Sequence, residues 1–161
     1  MVSSSGTIVA RRGGAICRAT TDGAVWIPQL RRRPATGGPA TFKMPATLAL
    51  GEAAAAVPEV DAPLVAPPGR RTYQEISYLE SDGIGYLEFS FPGGAMSTDQ
   101  CRQLLAAYRY AQARPVRVIV LSGAADTFAN GIHLNVIEAA DNPAGESWRN
   151  INAIMTSSRR Y

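Results

Sequence analysis

Lysine is nearly absent from this chain: Lys43 is the only one, so 15 of the 16 basic side chains are arginine, and His133 is the only histidine. With alanine abundant, that bias points to a GC-rich coding sequence and not to a specialised surface. Cysteine is scarce as well. Cys17 and Cys101 lie far apart with no Cys-x-x-Cys or Cys/His spacing, which excludes a disulfide framework and a zinc site and leaves two buried thiols and no metal as the expectation. No run approaches the roughly 18 to 20 apolar residues that span a bilayer, and Met1 to Gly6 lacks the basic region and apolar run of a secretory signal. A soluble, cytoplasmic chain is expected, with no membrane partner.

Charged residues make up only 18% of the chain against 46% apolar, and mean hydropathy is near zero, so 161 residues can bury an ordinary core and wholesale disorder is excluded. The charge is unevenly spread. Residues 1 to 70 carry eight Arg or Lys against four acids, and 71 to 161 carry eight against nine. Arg31-Arg32-Arg33 is the one basic run; it is short and lacks interleaved aromatics, so a solvated turn is preferred over a nucleic-acid contact.

Glycine and proline, 15 and 11 in number, mark joints. Ile16 to Thr21, Asp22-Gly23 and Ala24 to Ile27 read as a hairpin whose Gly accepts positive φ, with Pro28 ending the second strand. Arg31 to Gly38 reads as loop, and Pro45 to Ala56 as a short helical stretch. Between Val57 and Gly69 stand Pro58, Pro63, Pro67 and Pro68 without any apolar period. That pattern predicts an exposed, proline-stiffened linker with few contacts and a boundary near Arg70.

The second half has a clearer pattern. Glu75 to Leu79, a turn at Ser81-Asp82-Gly83, and Ile84 to Phe89 predict another hairpin. Ser97-Thr98-Asp99-Gln100 is a capping box opening a helix to about Ala113, with Cys101, Leu104, Leu105, Tyr108 and Ala111 on its buried face. After Pro115, the β-branched run Val116 to Leu121 predicts a central strand buried on both faces. Gly123 to Asp126 turns into the loop Phe128-Ala129-Asn130-Gly131-Ile132-His133-Leu134, followed by a helical stretch through Glu138. Pro143 breaks it, and Trp148, Ile151 and Ile154 predict a third helix with Trp148 in the core.

Hairpin, capped helix, apolar strand and a Phe-x-x-Gly loop opening a helix is an order that resembles the start of the crotonase (ClpP/crotonase-like) fold of the enoyl-CoA hydratase/isomerase family, most strongly over Gly83 to Leu134. The resemblance implies an α/β fold in which the backbone N–H of Ile132 donates to a thioester carbonyl oxygen, as half of an oxyanion hole. It implies that Gly131 permits close approach of acyl-CoA, and that the segment at Ala95 begins to meet the CoA group. Asn130 either bonds CoA or tolerates a turn beside Gly131. His133 is a candidate general base, though a lone histidine is more often structural, and Glu138 reads as a solvated or capping carboxylate.

The family loop usually continues Gly-Ala-Asp, whereas this one reads Gly131-Ile132-His133. With Asn135 to Ala140, Glu146 to Ile154 and Gly94 to Thr98, that departure is similar to the crotonase-like domain of a family of nickel-iron hydrogenase maturation factors. Arg18 to Ile27 and Phe42 to Ala49 are similar to the tail of the same family's formyltransferase region. The resemblance therefore divides the chain into residues 1–56, a small β-rich remnant of a formyltransferase C-terminal domain; 57–70, a linker; 71–154, the first part of a crotonase-like domain; and 155–161. It implies a CoA thioester, formyl-CoA, as substrate for making the carbon monoxide ligand, the hydrogenase maturation machinery as partner, and formyl-tetrahydrofolate only through an upstream domain. Most catalytic residues of such an enzyme are not in this sequence, so the chain alone is expected to be inactive. A piece of an ordinary enoyl-CoA hydratase/isomerase and a non-catalytic interaction module are the alternatives.

Met155 to Tyr161 loses the apolar period of the preceding helix. In GC-rich codons, one restored G ahead of these residues encodes Asp-Asp-Leu-Val-Ala-Glu-Ile, so 155–161 is expected to be a frameshifted tail.

Overall fold

A computed structural model describes residues 4–158 apart from 39, 68, 70 and 71, with side chains through 156. The chain forms two compact units, Met1–Ala62 and Pro63–Tyr161.

In the first unit, β1 (Ile8–Arg12), β2 (Ala15–Ala19) and β3 (Ala24–Ile27) form an antiparallel sheet in that order. The predicted hairpin is β2–β3, but Gly23 does not take positive φ. Ala19 pairs with Ala24, and the four-residue turn is closed by Thr20 N–H donating to the Gly23 carbonyl at 2.9 Å. The left-handed turn is instead Gly13-Gly14 (φ 52° and 86°), which joins β1 to β2 in a hairpin that sequence reasoning passed over. β2 is the central strand, and Ala15, Ile16, Cys17 and Ala19 are buried on it. Pro28 separates β3 from β4 (Gln29–Arg31), which pairs with β5 (Lys43–Pro45). The helical stretch is two short pieces, α1 (Ala46–Leu50) and α2 (Glu52–Ala55), parted at Gly51, whose φ of 56° interrupts the helix.

The proline-rich segment departs from the linker expected of it. Arg11 N–H donates to the Pro58 carbonyl (3.0 Å), Val60 N–H to the Arg11 carbonyl (2.9 Å) and Arg12 Nε to the Val60 carbonyl (2.6 Å). Residues 57 to 61 are thus laid along β1, and the division between units falls at Ala62/Pro63 instead of near Arg70. Proline removes a donor but leaves its carbonyl, so a proline-containing strand can still line a sheet edge.

In the second unit, β6 (Ile76–Ser81) and β7 (Ile84–Phe89) form the predicted hairpin, with Asp82 (φ 53°) and Gly83 (φ 77°) supplying the left-handed turn. Leu64, beyond the division, accepts from Tyr78 N–H and packs on this unit's core. α3 (Thr98–Gln112) carries the chain across to β8 (Val118–Ser122), which runs parallel to β7. Both halves of the capping box form: Ser97 Oγ accepts from Gln100 N–H, and Gln100 Oε1 accepts from Ser97 N–H at 3.0 Å. Tyr78, Leu87, Phe89, Phe91, Leu104, Ala107 and Ala111 make the core; Ala107 joins the helix face expected, while Leu105 and Tyr108 are half-buried.

Two expectations are corrected. β8 is an edge strand and β7 the central one, because among the described residues nothing pairs beyond β8. Its Ile119 and Leu121 pack on the core, whereas Val118 is 54% exposed and Val120 is exposed beside Tyr86 and Leu79. The third helix, α5 (Pro143–Ser158), begins at Pro143, which is tolerated in a first turn, with Asn142 Oδ1 accepting from Gly145 N–H. Trp148 is 71% exposed and Ile151 and Met155 lie on the same open side, so Trp148 is not a core residue. The side of α5 that faces the protein carries Glu146, Ser147, Asn150, Ala153 and Ile154. The helix continues through 158, and residues 159–161 of the expected tail lie outside the described residues.

Candidate functional site

The loop at Asn130–His133 is held against the strand-like entry to α3. After β7, Pro92–Gly94 makes one 3-10 turn in which Gly93 and Gly94 both have positive φ, and Ala95 is extended. Gly94 has a second requirement: a Cβ there would collide with Thr127 Cγ2 and crowd Asn130 Nδ2. Three bonds lace the loop to this segment. Asn130 N–H donates to the Gly94 carbonyl (2.7 Å), Asn130 Nδ2 to the Gly93 carbonyl (2.8 Å) and Met96 N–H to the Gly131 carbonyl (2.8 Å). Met96 and Ile132 form an isolated parallel bridge.

Ala95, Asn130, Gly131 and Ile132 are therefore neighbours. The left-handed φ of the loop is carried by Gly131 alone (83°), so Asn130 is not present to tolerate that conformation; its amide nitrogen is a structural tie. Among the described residues no acceptor receives the Ile132 N–H, while the Ile132 carbonyl accepts from Leu134 N–H. Phe128 is exposed, with its ring edge-on to Phe89 at 5.2 Å.

His133 is buried and caps α4 (Leu134–Glu138): its Nδ1 accepts a long bond from Val136 N–H. Burial pushes its pKa below the usual imidazole value, against a smaller opposing effect of a backbone hydrogen bond. An imidazole that accepts at Nδ1 in this setting is neutral with its proton on Nε2. Glu138 is exposed on α4. Arg31 and Arg32, in the other unit, donate to the carbonyls of Thr41 and Leu48, so these two guanidiniums brace a loop.

Two features escaped sequence reasoning. Asn150 on α5 is 1% exposed; its Oδ1 accepts from His133 N–H (3.1 Å) and its Nδ2 donates to the Met96 carbonyl (2.9 Å). Its signal was available as a polar residue interrupting the apolar period between Trp148 and Ile154, but nothing in a single sequence says which side of a helix is covered. Glu75, also buried, accepts from the Tyr73 hydroxyl (2.8 Å) and from Gln100 Nε2 (3.0 Å), which fixes the capping glutamine. Burial raises the Glu75 pKa, and the two hydrogen bonds offset part of that rise. Burial also pushes the Cys101 thiol up to about 11, and Cys17 is likewise buried. Among the described residues no group of three His, Cys, Asp or Glu could hold a metal ion, and no helix is long and apolar enough to cross a membrane.

No protein-family profile matches the chain. Over 149 residues, 92% of this chain, it is 47% identical to the hydrogenase maturation factor HoxX of Bradyrhizobium diazoefficiens, of which it covers 24%. Its fold matches crystal structures of HypX from Aquifex aeolicus. A variant with four substitutions superimposes with a TM-score of 0.88 and 46% identity over 96% of this chain and 28% of that one. HypX in complex with tetrahydrofolic acid superimposes with a TM-score of 0.86 and 48% identity over 92% of this chain and 26% of that one. Sequence and structure thus both match a segment of the HypX/HoxX hydrogenase maturation factors, and the chain spans about a quarter of the length of these relatives.

Proposed function

We propose that this chain is the segment of a HypX/HoxX-type nickel-iron hydrogenase maturation factor in which a formyltransferase region gives way to a crotonase-like domain, and that its Gly131–Ile132 loop receives a CoA thioester. Residues 1–62 are the end of the formyltransferase region and 63–154 the beginning of the crotonase-like domain, with the join at the division between the two units. The substrate is formyl-CoA, destined for the carbon monoxide ligand of the hydrogenase, in the cytoplasm. Formyl-tetrahydrofolate belongs to the upstream domain, a reading supported by the tetrahydrofolic acid complex of the Aquifex relative.

The observation that carries this reading is the Ile132 N–H, which has no acceptor among the described residues although the residues on either side of it are tied down. A backbone donor fixed before the reaction loses nothing to reorganisation when negative charge develops on a thioester oxygen. Gly131, with no Cβ, leaves its approach open: nothing lies within 4 Å of where one would stand. Ala95 and Asn130, beside it, offer backbone and the Asn130 Oδ1 to the CoA group. His133 is engaged as a helix cap, so proton transfer is not assigned to it. The likeness in both units favours this reading over an ordinary enoyl-CoA hydratase, which the second unit alone would allow.

Acetyl-CoA labelled with ¹³C at the thioester carbonyl tests it. Binding to this chain is expected to move the carbonyl resonance downfield, and Ile132→Pro, which has no N–H, is expected to abolish that shift while unlabelled CoA still binds and circular dichroism is unchanged. A wild-type chain that leaves the carbonyl unshifted, or a shift that survives the substitution, overturns the proposal. No turnover of formyl-CoA or enoyl-CoA by this chain alone is expected.

A further inference from the structure

The side of α5 turned toward the protein mixes Glu146, Ser147 and Asn150 with Ala153 and Ile154, and the polar Asn150 is its most enclosed residue, one of the three largest fully buried side chains. A buried amide is retained at a packing cost, and here both of its ends are used. Oδ1 accepts from the backbone of His133, 17 residues away, and Nδ2 donates to the backbone of Met96, 54 residues away. Those two residues flank the candidate site: Met96 is bridged to Ile132, and His133 follows it directly. One side chain therefore adds two bonds between the loop and the entry of α3 to the three made by Asn130 and Met96.

We propose that Asn150 is the positioning residue of the Ile132 donor, a clamp that aims the N–H by holding its two flanking backbones at once. This rests on the reading of Ile132 as an oxyanion donor. An apolar residue of the same size could fill the space but would leave the His133 N–H and the Met96 carbonyl without partners, and the loop would then relax to find water. Thr98 Oγ1, donating to Glu146 Oε1 at 2.7 Å, holds the first turn of α5 on the first turn of α3, so the helix that presents Asn150 is itself anchored.

Amide hydrogen exchange and the labelled thioester together test the clamp in the full chain. Asn150→Leu is expected to speed exchange at His133 by about tenfold or more, the factor matching one lost buried hydrogen bond. Reference amides at Leu87 and Leu104 should stay protected, and the ¹³C shift should shrink while CoA affinity holds. Asn150→Asp provides the rescue. Its neutral acid can replace both bonds and its carboxylate only one, so loop protection should recover as the pH is lowered. Unchanged exchange at the loop, acceleration spread equally over the reference amides, or an Asn150→Asp variant indifferent to pH would each overturn the inference. A wild-type chain that fails to shift the carbonyl defeats the reading of Ile132 but leaves the exchange result to decide the clamp.

Discussion

His133 is where residue chemistry reaches stability most directly. Its folded pKa lies below the ordinary imidazole value of 6.5 because burial disfavours the cation. The folded state therefore binds fewer protons than the unfolded chain once the pH falls below that value. The stability contributed by keeping this ring neutral is present above pH 6.5 and is lost as the pH falls through the depressed folded pKa. Glu75 works in the opposite direction: its raised pKa gives a contribution present below the carboxylate value of 4.5 and lost as pH rises through the folded value. His133→Asn retains a side chain able to cap α4 and removes the titration. Urea denaturation followed between pH 8 and 5.5 (about one unit either side of the imidazole range) is expected to show the variant losing less stability than wild type on acidification. Equal slopes would remove His133 as the cause. The sequence singled out this residue for being the only histidine, yet its role as a cap depends on burial that only the fold supplies.

At the scale of elements, the capping box of α3 was legible in four consecutive residues, because both of its hydrogen bonds are local. Ser97→Ala is expected to cost about 1 kcal/mol in chemical denaturation, the usual effect of removing a side-chain cap. A cost near zero would mean that the Glu75–Gln100 bond holds the helix start alone. The Asp82-Gly83 hairpin was legible for the same local reason, and Gly13-Gly14 carried an equal signal that went unread. β8 was not legible. A β-branched run says that a strand forms, but its burial on both faces depends on what lies beyond it. Trp148 failed similarly: three-and-four spacing identifies an apolar stripe, not which stripe of a helix meets the core.

Across the whole molecule, the unpaired edge of β8, the row Leu79, Tyr86 and Val120 on the open face of its sheet, and the Trp148, Ile151 and Met155 stripe of α5 together expose apolar surface in the second unit. Strand edges and such surfaces pair with whatever is available. The isolated chain is expected to sediment as a mixture of associated species with a broad thermal transition, and Val120→Lys, which charges the edge, to raise the monomer fraction. A wild-type chain that is monomeric and melts cooperatively would contradict this.

The sequence by itself determined what short-range chemistry determines: the β2–β3 and β6–β7 hairpins, the capped α3, and a Gly131–Ile132 loop with its resemblance to the hydrogenase maturation factors. Which residues face inward was decided only in three dimensions. The proline-rich segment lies along β1, β8 stands at an edge, and Asn150 joins Met96 to His133 across 54 and 17 residues. Such contacts depend on chain segments meeting at long separation, where local propensity carries no information. The Gly131–Ile132 loop could be named from its letters, but what it is bonded to, the Gly93–Met96 segment and Asn150 on another helix, could not.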